Sequence, residues 1–301
     1  MEDNLVLLQD STKRNHRHLR WISPYVYLVP AVMLAIAFGY RPFVKTVVNS
    51  LSLVNRLGRI VGFVGFENFS RLFSDRNFQT SLANTFRFAM LFVPLELIWS
   101  MTCALLVHRK RRFNAFNELL FMMPMVVAMS SAAILFQALF NPTIGVVNYL
   151  TGLAVQWFND PIWAMWVIVI LCIWMAMGLD FLLLLGALRS IPRGIVEAAE
   201  LEGASRWRIF WSVQLPLVSP TVMFVAANRL RDSILLSGPV MVMTEGGPYR
   251  STQTLVYQMY VEGFKAGNYS LGSAISVVVF VLSFFMITAS FKVERTGVFY
   301  Q

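Results

Sequence analysis

The sequence predicts an all-α integral membrane protein of about six membrane-spanning helices. Three observations carry that prediction. Of 301 residues, 57% are hydrophobic and only 14% charged, with a mean hydropathy of +0.61; a soluble domain of this length needs a larger polar shell. Apolar runs of roughly 18 or more residues recur along the chain, each long enough to cross a hydrocarbon core of about 30 Å. The runs lack the period-two alternation of polar and apolar residues that a membrane β-barrel requires.

Run length and flanking residues place the spans. The first covers Ile22 to Phe43, entered through Pro24 and Pro30. A cleaved signal peptide over residues 13–37, ending at Ala35-Ile36-Ala37, is the alternative there; the long run and the need for a first anchor favour an uncleaved helix. The second span covers Thr85 to Val107 and the third Phe116 to Phe140. The fourth runs from Trp163 to Leu188, the fifth from Leu217 to Met243, and the sixth from Leu271 to Phe291. Two outer connections are long. Residues 44–84 hold Phe63-Val64-Gly65-Phe66-Glu67-Asn68-Phe69, read as an interfacial piece followed by a short amphipathic helix. Residues 244–270 hold Gly246-Gly247-Pro248, a turn signal that ends the fifth helix.

The net charge of +9 lies beside the spans rather than in a nucleic-acid-binding patch. Lys13, Arg14, Arg17 and Arg20 precede the first span; Arg109, Lys110, Arg111 and Arg112 follow the second; Arg189, Arg193, Arg206 and Arg208 surround the loop after the fourth. Residues 141–162 contain neither Lys nor Arg. By the positive-inside rule, both termini face the cytoplasm of a multi-pass plasma-membrane protein, and no nucleic-acid partner is expected. Cys103 and Cys172 fall inside apolar runs and read as small buried hydrophobes. His16, His18 and His108 stand among basic residues at the membrane face, so no metal or catalytic role is assigned to them.

Residues 190–216 interrupt the apolar pattern between the fourth and fifth spans. Ser190 and Pro192 suit a helix start, and Ile195, Ala198, Ala199 and Leu201 continue a short helical pattern with small residues on one face. Gly203 supplies a left-handed terminator. Arg206 to Trp211 is read as a basic-aromatic piece against the headgroups, and Leu215-Pro216 as the turn into the fifth span. Physics alone leaves two readings: an interfacial helix that anchors a loop, or a docking surface that another backbone approaches closely.

The spacing Glu197-Ala198-Ala199, three residues, Gly203, nine residues, then Val213-Gln214-Leu215-Pro216 resembles the EAA loop of ATP-binding-cassette (ABC) importer permeases. Val213 replaces a usual Ile. From residue 22 to 292 the chain also resembles the maltose-type sugar permeases, through Phe63 to Asn68, Leu139-Phe140-Asn141-Pro142, Ser190-Ile191-Pro192, Gly246-Gly247-Pro248 and Thr254-Leu255-Val256-Tyr257. The resemblance implies a type I importer permease fold, with a cytoplasmic basic segment at 1–21, a permease domain at 22–292 and a cytoplasmic tail at 293–301. It implies ATPase coupling through Glu197, Ala198, Ala199, Gly203, Leu215 and Pro216. The implied partners are a second homologous permease, two ABC ATPase subunits and an extracytoplasmic solute-binding protein, besides membrane lipid. ATP and Mg would be bound by the ATPase; the sequence contains no GxxxxGK[ST] loop, and no cofactor or enzymatic activity is expected of this chain.

Ionisable residues within spans are costly and are functional candidates. Glu96, Asp180 and Arg229 lie about 14–20 Å from the predicted cytoplasmic ends, at about 1.5 Å per residue, so they share one depth. Arg231, Asp232, Asn228 and Ser233 sit beside Arg229, and Gln137 is a weaker addition. The charges either neutralise one another or line a wet path for a hydroxyl-rich solute, and the two readings are compatible. By resemblance, sugar-contacting positions of the fifth helix align to Arg229, Asp232, Ser233 and Leu236. Two arginines depart from the neutral residues usual there and favour an acidic sugar, a uronate oligosaccharide or glycerol 3-phosphate. An ion-coupled secondary transporter using Glu96, Asp180 and Asp232 is the alternative. Trp157, Trp163, Trp166 and Trp174 could stack on sugar rings; the first three lie near a membrane end and read better as an interfacial belt, while Trp174 lies deeper and stays open to the stacking role.

Overall fold

The structure, a computed structural model, describes residues 25, 27–108 and 114–297. The basic residues from Lys13 to Arg20 and from Arg109 to Arg112, His16 and His18, the entry at Ile22 to Pro24, and residues 298–301 lie outside the described residues. Among those described, five helices are long and apolar enough to cross a membrane, and six if one sharply bent helix pair is counted as a single broken span.

Helix α1 (Tyr27–Ser50) has one wide turn at Ala35–Tyr40 and extends seven residues beyond the predicted end at Phe43. Of its residues only Ser50 is buried. It stands at the margin of the subunit beside the last helix, where the Phe43 and Phe280 rings meet at 4.8 Å. A small antiparallel hairpin follows, β1 (Ser52–Val54) against β2 (Ile60–Phe63), with Ser52 opposite Phe63 and a bulge at Leu53/Val54. This hairpin was not expected: its three- and four-residue strands are too short to show a period in the sequence. Helix α2 (Glu67–Ser74) is the predicted amphipathic piece.

The centre of the fold is α3 (Arg76–His108) packed along α7 (Pro161–Ser190). Helix α7 is apolar over most of its surface, with Val167, Leu171, Phe181, Leu184 and Leu188 at most 1% exposed, as expected of a span packed between neighbouring helices and lipid. The Asp160 carboxylate caps it, accepting from the backbone N–H groups of Ile162 (2.8 Å) and Trp163 (3.2 Å).

The third predicted span is corrected. Phe116 to Phe140 is not one helix but two, Asn114–Val126 and α5 (Met129–Leu139), bent by 102°. The first comprises α4 (Asn114–Met122) and a tight 3₁₀ turn at Met123–Val126. Pro124 removes a backbone donor, and Val127 and Ala128 are extended (ψ 132° and 138°). Gly178 of α7 packs into the bend: a Cβ there would lie 2.9 Å from Met125 Cβ and 3.2 Å from the Met122 carbonyl. A helical turn α6 (Val146–Thr151) then leads to α7.

The loop helix α8 (Arg193–Leu201) leads to α9 (Arg206–Ile234). Two further expectations are corrected here. Arg206 to Trp211 is no separate surface piece but the beginning of the fifth span, and Leu215-Pro216 lies within that span rather than turning the chain into it. A wide turn at Phe210–Gln214 absorbs the donor that Pro216 lacks. At the other end α9 stops at Ile234 instead of Met243; the chain unwinds through Leu235–Ser237 and restarts as α10 (Gly238–Met243), with Pro239 in its first turn. Helices α11 (Leu255–Tyr260) and α12 (Tyr269–Gly297) complete the chain. Cys103 and Cys172 are buried free thiols.

Candidate functional site: a charged cavity and an exposed loop helix

The unwound end of α9 opens a cavity of about 450 Å³. Phe88 and Phe92 of α3, Met129 of α5, and Cys172, Met175 and Ala176 of α7 supply the apolar wall; Arg229, Asp232 and Leu235 to Pro239 supply the remainder. Of the residues picked from sequence, Arg229, Asp232 and Leu236 therefore line one space. Leu236 does so from the unwound segment, not from a helix. Thr254 holds that segment: its hydroxyl donates to the Leu236 carbonyl at 2.6 Å while capping α11.

The charges are wired together. Arg229 Nη2 donates to Asp180 Oδ1 at 3.2 Å and its Nε lies 2.8 Å from Asp180 Oδ2, one hydrogen bond within a close ion pair across α9 and α7. Arg229 Nη1 lies 3.0 Å from Asp232 Oδ2, and Arg231 Nη2 lies 2.8 Å from Asp232 Oδ1. Glu96 is fully buried against Asp180 and accepts from Ser100. The equal depth read from sequence is thus a contact between α3, α7 and α9. Ser233 is fully buried and donates to the Arg229 carbonyl at 2.7 Å, so its hydroxyl is used within α9. Asn228 donates to the Phe224 carbonyl at 2.9 Å. Gln137 donates to the Val242 and Met243 carbonyls (3.0 and 3.1 Å) and ties α5 to the end of α10. Trp174 packs on Phe136, and Trp157 donates to Asn148 at 2.7 Å beside Trp163.

The second part is α8, with Glu197 and Ala198 exposed and Ala199 half-buried. Its end is a complete Schellman motif. Gly203 has φ +82°, its N–H donates to the Glu200 carbonyl at 3.0 Å, and Ala204 N–H donates to the Ala199 carbonyl at 3.0 Å. Leu201 is 89% exposed, so this apolar side chain is left uncovered by the described residues. Leu215 packs into the core beneath, beside Leu184, Leu188 and Val218. An apolar cleft of about 590 Å³ lies between the loop and α3, bordered by Leu97, Met101, Leu105, Val196, Trp207 and Leu215.

Several recurrent sequence pieces are joints rather than site residues. Asn68 donates to the Ser50 and Ser52 carbonyls (2.9 and 3.0 Å), fastening α2 to the hairpin. Asn141 Oδ1 accepts from Thr143 and Ile144 N–H, and a Cβ on Gly145 would fall 2.3 Å from the Asn141 carbonyl. Gly246 (φ +82°) lets the strand of turns after α10 approach Tyr257, whose ring a Cβ would meet at 3.0 Å. Sequence reasoning missed Phe88, Phe92, Met129 and Met175; the pointers to them were Pro124 and Gly238-Pro239, which break helices where the cavity opens.

Residues 96–293 match the family described as binding-protein-dependent transport system inner membrane component. The chain belongs to that family. The sn-glycerol-3-phosphate transport system permease protein UgpA of Pectobacterium atrosepticum is 32% identical over 285 residues, 93% of this chain and 96% of that protein. Its counterpart in Salmonella typhi is 33% identical over 286 residues, 94% and 97% of the two chains. A chain of a bacterial alginate ABC transporter, solved with an alginate-pentasaccharide-bound periplasmic protein, shares the fold with a TM-score of 0.82. It is 20% identical, with 92% of this chain and 95% of that chain covered. This importer component is a multi-pass membrane permease subunit of the type I ABC importer fold, a transport subunit. Neither this family nor the three proteins just described support the ion-coupled alternative.

Proposed function

We propose that this permease passes an anionic carbohydrate or polyol, such as a uronate oligosaccharide or glycerol 3-phosphate, driven by ATP hydrolysis on a separate subunit. The observation that carries the solute class is Arg229 on the cavity wall with its Nη1 edge turned to Asp232. A guanidinium offers two parallel donors to a carboxylate or phosphate. The relatives named for glycerol-3-phosphate transport and the fold shared with an alginate transporter support the same class. Glu96, Asp180, Arg231, Ser233 and Leu236 shape or support that path.

The loop helix α8 is the ATPase-coupling element, with Glu197 as the polar contact and Ala198 and Ala199 as the close-packing face. Gly203 ends that helix, while Leu215 and Pro216 carry its movement into α9. The partners are two ABC ATPases that bind ATP and Mg, a second homologous permease and an extracytoplasmic binding protein. The 1–21 segment, the 190–216 loop and the 293–301 tail then face the cytoplasm. Because α7 and α9 flank the loop and meet at Asp180–Arg229, movement of the loop reaches the cavity wall directly.

Uptake by the assembled transporter in proteoliposomes tests the solute class. Arg229→Gln is expected to reduce transport of an acidic substrate more than that of its neutral analogue. The double variant Arg229→Gln/Asp180→Asn removes both charges and separates anion recognition from the cost of an unpaired buried Asp180. Equal loss for both solutes in both variants contradicts the reading.

A further inference from the structure

Two carboxylates hold Arg229, and they are not equivalent. The Asp180 side chain is 1% exposed and takes the Nε and Nη2 edge. The Asp232 side chain is 35% exposed, lines the cavity, and gives one oxygen to Arg229 Nη1 and the other to Arg231 Nη2. Asp232 therefore bridges two guanidiniums with the oxygen spacing that any carboxylate presents, and a phosphate oxygen pair can replace it. Arg231 is 47% exposed along its side chain, and a charge at membrane depth faces water or another chain rather than lipid.

We propose that Asp232 is a resident counter-ion, occupying the place that the anionic group of the solute takes during passage and yielding it on solute entry. This rests on the anionic-solute reading above and adds its regulation. With Asp232 in place, both Arg229 and Arg231 have a carboxylate partner, so the empty cavity offers no unpaired guanidinium to trap a stray anion. When the solute anion enters, it takes the Nη1 edge of Arg229 and the Arg231 fork, while the displaced carboxylate stays close by. That like-charge neighbour limits affinity, and limited affinity lets a carried solute leave.

The test is solute binding to the complete transporter, with its partner subunits, in nanodiscs. The probes are sn-glycerol 3-phosphate, D-glucuronate and neutral glycerol, so that phosphate and carboxylate arms are read separately. Asp232→Asn is expected to tighten binding of at least one anionic probe by about tenfold or more, as expected on removing a like-charge contact, to slow its release, and to leave glycerol unchanged. Arg231→Gln, at an exposed position, is expected to weaken the same probe by about tenfold. It gives an independent reading should Asp232→Asn fail to assemble. Unchanged or weaker anion binding in Asp232→Asn, or unchanged binding in Arg231→Gln, overturns the counter-ion role. If Arg229→Gln still abolishes anion binding in that case, the anionic-solute reading stands without it. If no anionic probe depends on Arg229, both fail together.

Discussion

Gly203 allows the cleanest separation of backbone geometry from side-chain contact in the loop. At φ +82°, nothing lies within 4 Å of a Cβ built on it, so a substitution there adds no clash with a neighbour. The penalty is conformational: a non-glycine L-residue in the left-handed region costs about 1–2 kcal/mol. The helix end depends on that conformation, because the Gly203→Glu200 and Ala204→Ala199 bonds form together, both at 3.0 Å. Gly203→Ala is therefore expected to reduce the fraction of loops with an intact α8 terminus by about 5- to 30-fold relative to frayed ones. Gly203→Asn, whose side chain tolerates the left-handed region, is expected to retain most of the wild-type behaviour. Hydrogen exchange of residues 193–204 and the ratio of solute moved to ATP hydrolysed, measured on the assembled transporter, read the two levels. Fast exchange and a lower transport ratio should appear in Gly203→Ala and be largely restored in Gly203→Asn. Equal impairment by Ala and Asn would show that the position needs smallness for a partner and not its φ, and would refute the reasoning.

Two further outcomes follow from the packing and the outer loops. Gly178→Ala places a Cβ 2.9 Å from Met125 Cβ, and such overpacking costs about 1–3 kcal/mol; a lowered thermal midpoint in detergent is expected, and an unchanged one argues against the close packing of the Met123–Val126 turn on α7. Glu262 lies in the wide turn after α11, and burial, then the nearby Asp75, raises its carboxyl above the ordinary range against the lowering effect of Arg250. A raised folded value makes this group's contribution to stability complete below the unfolded value, and it is lost as pH rises through the folded one. Protection of residues 261–268 against hydrogen exchange should thus fall across that window, and Glu262→Gln should flatten the dependence.

Much of the architecture was legible because lipid leaves few choices: a long apolar run with polar flanks becomes a helix. The two spans drawn too long have one cause. Run length sees composition and not the backbone, so Phe116 to Phe140 and Leu217 to Met243 each look continuous although Pro124 and Gly238-Pro239 interrupt them. Those breaks make the cavity, and its apolar residues Phe88, Phe92 and Met129 look like ordinary span residues in one dimension. The charges were easier to find, since Glu96, Asp180 and Arg229 are conspicuous in apolar runs. Their depth, counted at a helical rise from the span ends, already brought them together. What counting could not give was the division of labour: Asp180 locked on one edge of Arg229, Asp232 bridging to Arg231, and Ser233 spent on its own helix. Gly203 was legible as the left-handed end of α8 because such an end is a local property of the chain.

The coupling role proposed for α8 makes it the surface on which an ATPase subunit acts. Single cysteines at Glu197, Ala198 and Leu201, in a background with Cys103 and Cys172 replaced by Ala, can be challenged with a thiol-specific, cleavable cross-linker in the assembled transporter. Cross-links from these positions to the ATPase subunit are expected, with arrest of ATP-driven uptake on cross-linking and recovery on cleavage. Uptake that continues at the wild-type rate with α8 cross-linked, or the absence of any ATPase cross-link from all three positions in an actively transporting complex, would contradict it.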